Sequence, residues 1–465
     1  MIKRRVDFIE KNQKLIMSIV AIGTLSFLGI VIETALNIAF PKLMVKFKIP
    51  ASTVQWLTTG YMLVSTVIIP FGAYLRKRFR AITLFRVAII SFLIGTVLAG
   101  VTSSFFLLLC GRIIQGIADG IGLPLMFSII LEQSPKKKVG FFMGLGSLVI
   151  AFAPAIGPVY GGIVLKYYSW QTLFILIIPI VLVIWLLGEF SITQKFNVFS
   201  ISFDYRGGIT LTGLLIITLL LIVSTASKSN YRIFLLLTAI ICCILFIYFE
   251  KNNKNYIIDI SLFKNRQFDI FLISFFLLQL MSLSMSYLMP NVLEIIFHLS
   301  TAKTGLLVLP AAVIDAIMSA VAGIIYDKLN HDFPILLGEG LICVSFLLAN
   351  IISVAPINLI IIYSIFMFGL GLSYSNIMTR SLANLPIQST NDGNVIYMTA
   401  QSYSGAMGTA IAASILTFTQ NDYFNFINGT LAGLKINFKV LFFLSIIVLI
   451  FCTTIILRDK KMTNK

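Results

Sequence analysis

Charge is what this chain has least of. Only 11% of its 465 residues are Asp, Glu, Lys or Arg, against about 25% in ordinary soluble domains. Acids are the scarcer sign, 18 against 35 basic residues. Hydrophobic residues make up 58% of the chain, and the mean hydropathy is +0.98. That balance excludes a soluble domain with a single anchor and reads as an all-α polytopic membrane protein. The five cysteines, at 110, 242, 243, 343 and 452, all fall in apolar runs, so no disulfide framework or zinc set is present. His298 and His331 are too few for a metal site and sit near span ends. The net charge of +17 does not indicate nucleic acid, because the positive residues lie in short loops between apolar runs. There is no Gly-x-x-x-x-Gly-Lys-Ser/Thr loop, which removes a nucleotide-driven pump of that type. No clustered nucleophile or metal set suggests an enzyme, and no cofactor is expected.

Apolar windows long enough to span a bilayer recur about fourteen times, from 14–38 to 437–457. The first is too long for a removable signal peptide and reads as a span. Orientation follows from Lys and Arg. Lys3-Arg4-Arg5, Arg76-Lys77-Arg78 with Arg80, Lys136-Lys137-Lys138 and Lys460-Lys461 fall on one side, with Lys42, Lys46 and Lys48 the main exception. Both termini are therefore expected in the cytoplasm, in a cell membrane protein; twelve spans would give the same parity. Trp56 and Trp170 read as interfacial anchors. Spans seven and eight, about 207–249, carry almost no charge and read as helices added beside a main bundle. The connector Asp259–Phe268 reads as lying along the inner surface.

The few charges inside spans are the informative residues. Arg112, Gln115 and Asp119 share one run, 104–131, and a helix places Arg112 and Asp119 on one face, two turns apart. An ion at that depth costs roughly 2.5–3.5 kcal/mol. It is either a buried pair holding helices together or a site that handles protons or charged solute. Glu33 and Asn37 lie a turn apart on the first span, in the outer half, within reach of Arg112; a structural Glu–Arg pair and a carboxylate that changes partner are both open. Asp315 stands near the middle of the tenth span with no neighbouring cation in sequence. Glu339 lies a turn or so inside the eleventh, where it would reach the headgroups. The second span carries Tyr61. The fifth carries Gly144, Gly146, Pro154, Gly157, Pro158, Gly161 and Gly162, an array that predicts a bent, closely packed helix able to act as a hinge.

Together these segments resemble the major facilitator superfamily, and within it the fourteen-span drug/proton antiporters of the Qac/Emr type. Gly111–Gly120 resembles the span-four motif, with Arg112, Gln115 and Gly116 matching. Gly146–Gly162 resembles the span-five motif associated with antiporters, and Glu33–Pro41 the span-one motif, with Glu33 where Asp is usual. Leu262–Arg266 and Gly305–Pro310 also match. There are departures. In the loop after span two, Gly72 is kept, but Arg76 and Phe79 stand where the family has Asp and Gly, and that Asp usually helps lock the outward-open state. Gly323 and Asp327 keep the second-half counterpart. Asp119 replaces a small residue.

The resemblance implies two six-helix halves, residues 1–190 and 267–465, with two additional helices in 191–266. It implies proton-coupled export of amphipathic, often cationic drugs by alternating access, driven by a proton gradient, with sodium as the alternative ion. Glu33, Asp119, Asp315 and Arg112 would carry proton and cargo. Asn37, Gln115 and Tyr61 would line the cavity, and Gly72, Arg76 and Asp327 would gate the inner side. The expected partners are small hydrophobic or cationic solutes, protons and the lipid bilayer, with no nucleic acid, and the protein is expected as a monomer. The rivals are an exporter of an endogenous lipid-like or anionic compound and a non-transporting scaffold or receptor.

Overall fold

The computed structural model describes residues 2–463 except 195–197, 200–201, 225–231, 254–255, 329–330 and 387–388. The side chains of Lys3–Arg5, Pro41 and Lys460–Lys461 lie outside the described residues. The chain is all-helical, and no strand occurs among the described residues. Among the described residues the bundle is built of fourteen long helices: α1 (Ile2–Phe47), α2 (Trp56–Arg78), α3 (Ala81–Val101), α4 (Phe105–Gln133), α5 (Lys136–Tyr167), α6 (Thr172–Ser191), α7 (Tyr205–Ser224), α8 (Arg232–Asn252), α9 (Arg266–Phe297), α10 (Thr301–Lys328), α11 (Phe333–Ile351), α12 (Pro356–Ala383), α13 (Thr390–Asp422) and α14 (Phe426–Thr463). Twelve of them are long and apolar enough to span a membrane on their own composition; α7 and α13 complete the set by position.

Core and lipid are both apolar, so residue size rather than polarity marks the inner face. On α3 the outer stripe is Val87, Ile90, Ile94, Val97 and Val101, while Ala88, Gly95, Thr96 and Ala99 are buried. Gly95 and Gly111 bring the α3 and α4 backbones together; a Cβ at Gly111 would lie 2.8 Å from Gly95 O. Bends follow the prolines. α2 tightens to a 3₁₀ turn over Ile69–Phe71, around Pro70, and α5 breaks at Phe152, two residues before Pro154. Beyond the break, Gly157 and Gly161 seat α5 on α1, where a Cβ at Gly161 would lie 2.9 Å from Ala35 O. Gly162 faces open space.

α7 and α8 form a hairpin at the side of the bundle. α8 packs chiefly on α7, which in turn touches α2 and α13. Thr218 Oγ1 lies 2.7 Å from Tyr403 OH, which also donates to Leu215 O. The connector before α9 is a 3₁₀ turn, Ile260–Lys264, capped by Asp259, and Asn265 caps α9 by accepting from Gln267 N (3.0 Å) and Phe268 N (3.4 Å). Trp56 is exposed, as an anchor should be. Trp170 is not: it is 4% exposed, edge-on to Phe47 and 5.3 Å beneath Lys46 Nζ, because α1 runs on past the bilayer and covers it.

Candidate functional site

α4 carries the site, and its glycines build it. A Cβ at Gly116 would sit 2.6 Å from Tyr61 O, and one at Gly120 2.7 Å from Ile68 Cβ. The close approach of α2 that this permits places Tyr61 and Ser65 over the α4 face holding Arg112 and Asp119. Arg112 is fully buried. Its Nε donates to Leu57 O at 3.2 Å, its Nη1 to Gln115 Oε1 at 2.7 Å, and its guanidinium lies 4.1 Å from the Tyr61 ring centre. Gln115 Nε2 donates in turn to Thr96 Oγ1 at 2.8 Å. Gln115 and Tyr61, expected to line a cavity, are 0% and 1% exposed and brace the cation from behind, because α2, α3 and α4 close over them.

Asp119 is half-buried and accepts from Ser65 Oγ at 2.6 Å. Arg112 Nη2 has no hydrogen-bond partner among the described residues, and the Tyr61 hydroxyl lies beside the Asp119 carboxylate. Glu33 on α1 is half-buried and within electrostatic reach of both Arg112 and Asp119. Asn37, one turn further, is exposed, and its Oδ1 accepts from Thr58 Oγ1 at 3.1 Å. The first half therefore gathers two carboxylates, one fixed cation and a phenol. Such a cluster can exchange a proton or a cationic group without moving its arginine.

Asp315 lies elsewhere. It is half-buried on α10 where that helix crosses α12; a Cβ at Gly371 would meet Asp315 O at 2.6 Å. Tyr363 and Tyr374 feel its charge, and Tyr374 stacks on Phe275 at 4.2 Å. Glu339 does not reach headgroups. It is 0% exposed, because Gly338 meets Gly369 across the α11–α12 crossing and draws its neighbour into the seam.

A polar clasp joins the first six helices to the last six at the end of the bundle where both termini lie. Asp327 of α10 accepts from the Gly140 and Phe141 amides of α5 at 2.9 and 2.8 Å. Lys77 of α2 holds both Asp392 oxygens at 2.9 Å. Arg76, 5% exposed, pairs with Glu132 at 2.5 Å, and Asn391 donates to the other Glu132 oxygen at 2.9 Å. Asn394 donates to Pro124 O at 3.0 Å, and Gly72 sits against Pro124 and Val395. Gly140 and Gly144 let α5 touch α10 at Gly323 and Ser319.

Residues 22–409 match the Major Facilitator Superfamily. The chain belongs to that superfamily. It is a transporter, not an enzyme. It is 31% identical over 427 residues to the lincomycin resistance protein LmrB of Bacillus subtilis, covering 89% of this chain and 88% of that one. It is also 31% identical over 417 residues to YhcA, an uncharacterized MFS-type transporter of the same organism, covering 88% and 78%. The fold is that of the proton:xylose symporter XylE, with a TM-score of 0.68 at 13% identity over 95% of this chain and 96% of that one.

In this superfamily member the loop after α2 works with reversed sign. Asp327 caps a helix directly, whereas Arg76 and Lys77 meet carboxylates that come from α4 and α13. Glu132, Asn391, Asp392 and Asn394 were invisible as partners in the sequence, since they flank apolar windows and belong to helices far apart in the chain. Ser65 had a signal: it lies one turn from Tyr61 on the same helix face.

Proposed function

We propose that the chain exports amphipathic, often cationic small molecules across the cytoplasmic membrane in exchange for protons. Residues 1–190 and 267–465 rock against one another, with both termini in the cytoplasm, as the basic loops indicate. The observation that carries this reading is the Glu33–Arg112–Asp119–Tyr61 cluster. Its acids are half-buried, and Asp119, beside the Tyr61 hydroxyl, takes a proton or a cationic group. Opposite unit charges about 4 Å apart attract by about 4 kcal/mol at an effective dielectric near 20. Cargo and proton then compete for the same oxygens, which couples export to proton entry. In the state seen here the clasp is closed at the termini end. Resemblance to LmrB supports drug-like cargo, and Asp315 with Tyr374 supplies a second polar contact across the pathway.

The test is dye efflux from everted vesicles under an imposed pH gradient. Asp119→Asn and Glu33→Gln should each lower gradient-driven efflux by roughly tenfold or more, as expected when an intramembrane ion is functional, with protein levels unchanged. Efflux that survives neutralisation of Glu33, Asp119 and Asp315 together overturns the assignment.

A further inference from the structure

We propose a divalent-cation site between Asp204 and Glu250, where the linker after α6 meets the end of α8. Both side chains are more than nine-tenths buried, at 8% and 3% exposure. Glu250 Oε1 accepts from the Ile257 and Ile258 amides, each at 2.8 Å, and Asp204 Oδ1 accepts from the Arg206 amide at 3.2 Å. These amides fix the orientation of both carboxylates. The second oxygens, Asp204 Oδ2 and Glu250 Oε2, have no hydrogen-bond partner among the described residues. They face each other across Gly207: a Cβ there would collide with Asp204 Oδ2 and lie 3.3 Å from Glu250 Oε2.

Two carboxylates turned toward one gap are relieved by a cation or by a shared proton, and we infer the cation. The neighbouring lysine does not serve, because Lys77 Nζ is held by both oxygens of Asp392. Oxygen donors alone select a hard ion. Among the described residues no group of three or more His, Cys, Asp and Glu assembles. The shell is therefore completed by water, the habit of Mg²⁺, which binds through one or two carboxylates and keeps several waters. The ion fastens the α7–α8 hairpin to the clasp: Phe203, next to Asp204, packs on Phe71 and Tyr74 of α2, and Phe199 N donates to Lys77 O at 2.9 Å.

The test uses the full-length purified protein, stripped with chelator and titrated with MgCl₂ and, separately, CaCl₂ by calorimetry and thermal melting. One site per chain and a rise in Tm are expected. Glu250→Gln keeps the acceptor for the Ile257 and Ile258 amides yet should weaken binding by roughly tenfold or more. Gly207→Ala removes no charge and should weaken it similarly by filling the gap. The proposal fails if no saturable site appears, if either variant binds as well as the parent, or if Glu250→Gln raises Tm without metal while metal does nothing, since that last pattern marks a shared proton.

Discussion

Arg76 of α2 and Glu132 of α4 form a buried ion pair at 2.5 Å, and Asn391 of α13 ties the same carboxylate to the far side of the molecule at 2.9 Å. Arg76→Ala strands Glu132 in the interior. Breaking a buried pair from one side costs about 3–5 kcal/mol. The variant should melt earlier and open at the termini end, read as faster thiol labelling of a cysteine placed at Ser128. Adding Glu132→Gln should recover most of the loss. Equal damage in the single and double variants would show that charge pairing is not the reason.

Tyr61 is positioned by a missing side chain. A Cβ at Gly29 would lie 2.5 Å from the Tyr61 hydroxyl but 3.6 Å from its Cζ, an ordinary contact. Gly29→Ala should therefore displace the ring from Arg112, cost about 1–3 kcal/mol through overpacking, and reduce transport. Tyr61→Phe in the same background removes the colliding atom and should restore thermal stability. The pair of melts, alone and combined, checks this directly.

Arg112 is a planar cation bound along two directions and stacked on a ring. A lysine cannot reproduce that geometry. Arg112→Lys is expected to fold, since Gln115 and Leu57 O remain as acceptors, but to lower efflux at least as much as Glu33→Gln. Unchanged efflux would make the residue a simple charge.

Asp327 serves two amides at the start of a helix, where a capping side chain contributes about 0.5–2 kcal/mol. Asp327→Asn keeps one acceptor and should cost less than Asp327→Ala. Both should speed labelling at the termini end, in that order. A reversed order would mean that the helix start is satisfied by other groups.

Apolar run lengths made the helices legible, and Arg112, Glu33 and Asp119 stood out because ions are scarce in such runs. Depth was less legible. Glu339 and Gln115 are buried by helix crossings at Gly338 and between α2, α3 and α4, and no one-dimensional pattern records a crossing. Trp170 was misplaced for the same reason, since the segment that covers it, Lys46 and Phe47, comes more than a hundred residues earlier. Arg76 was expected among the inner gating residues, but its partner was hidden, because Glu132 lies two helices away.

Composition alone committed this chain to helices in lipid, because backbone polar groups in a bilayer must pair within their own segment. It also decided which few side chains would be costly there. Which of those acids meet, which stay apart, and which end of the bundle is shut were settled by glycine-mediated approaches between helices distant in sequence, where a difference of one Cβ governs contact.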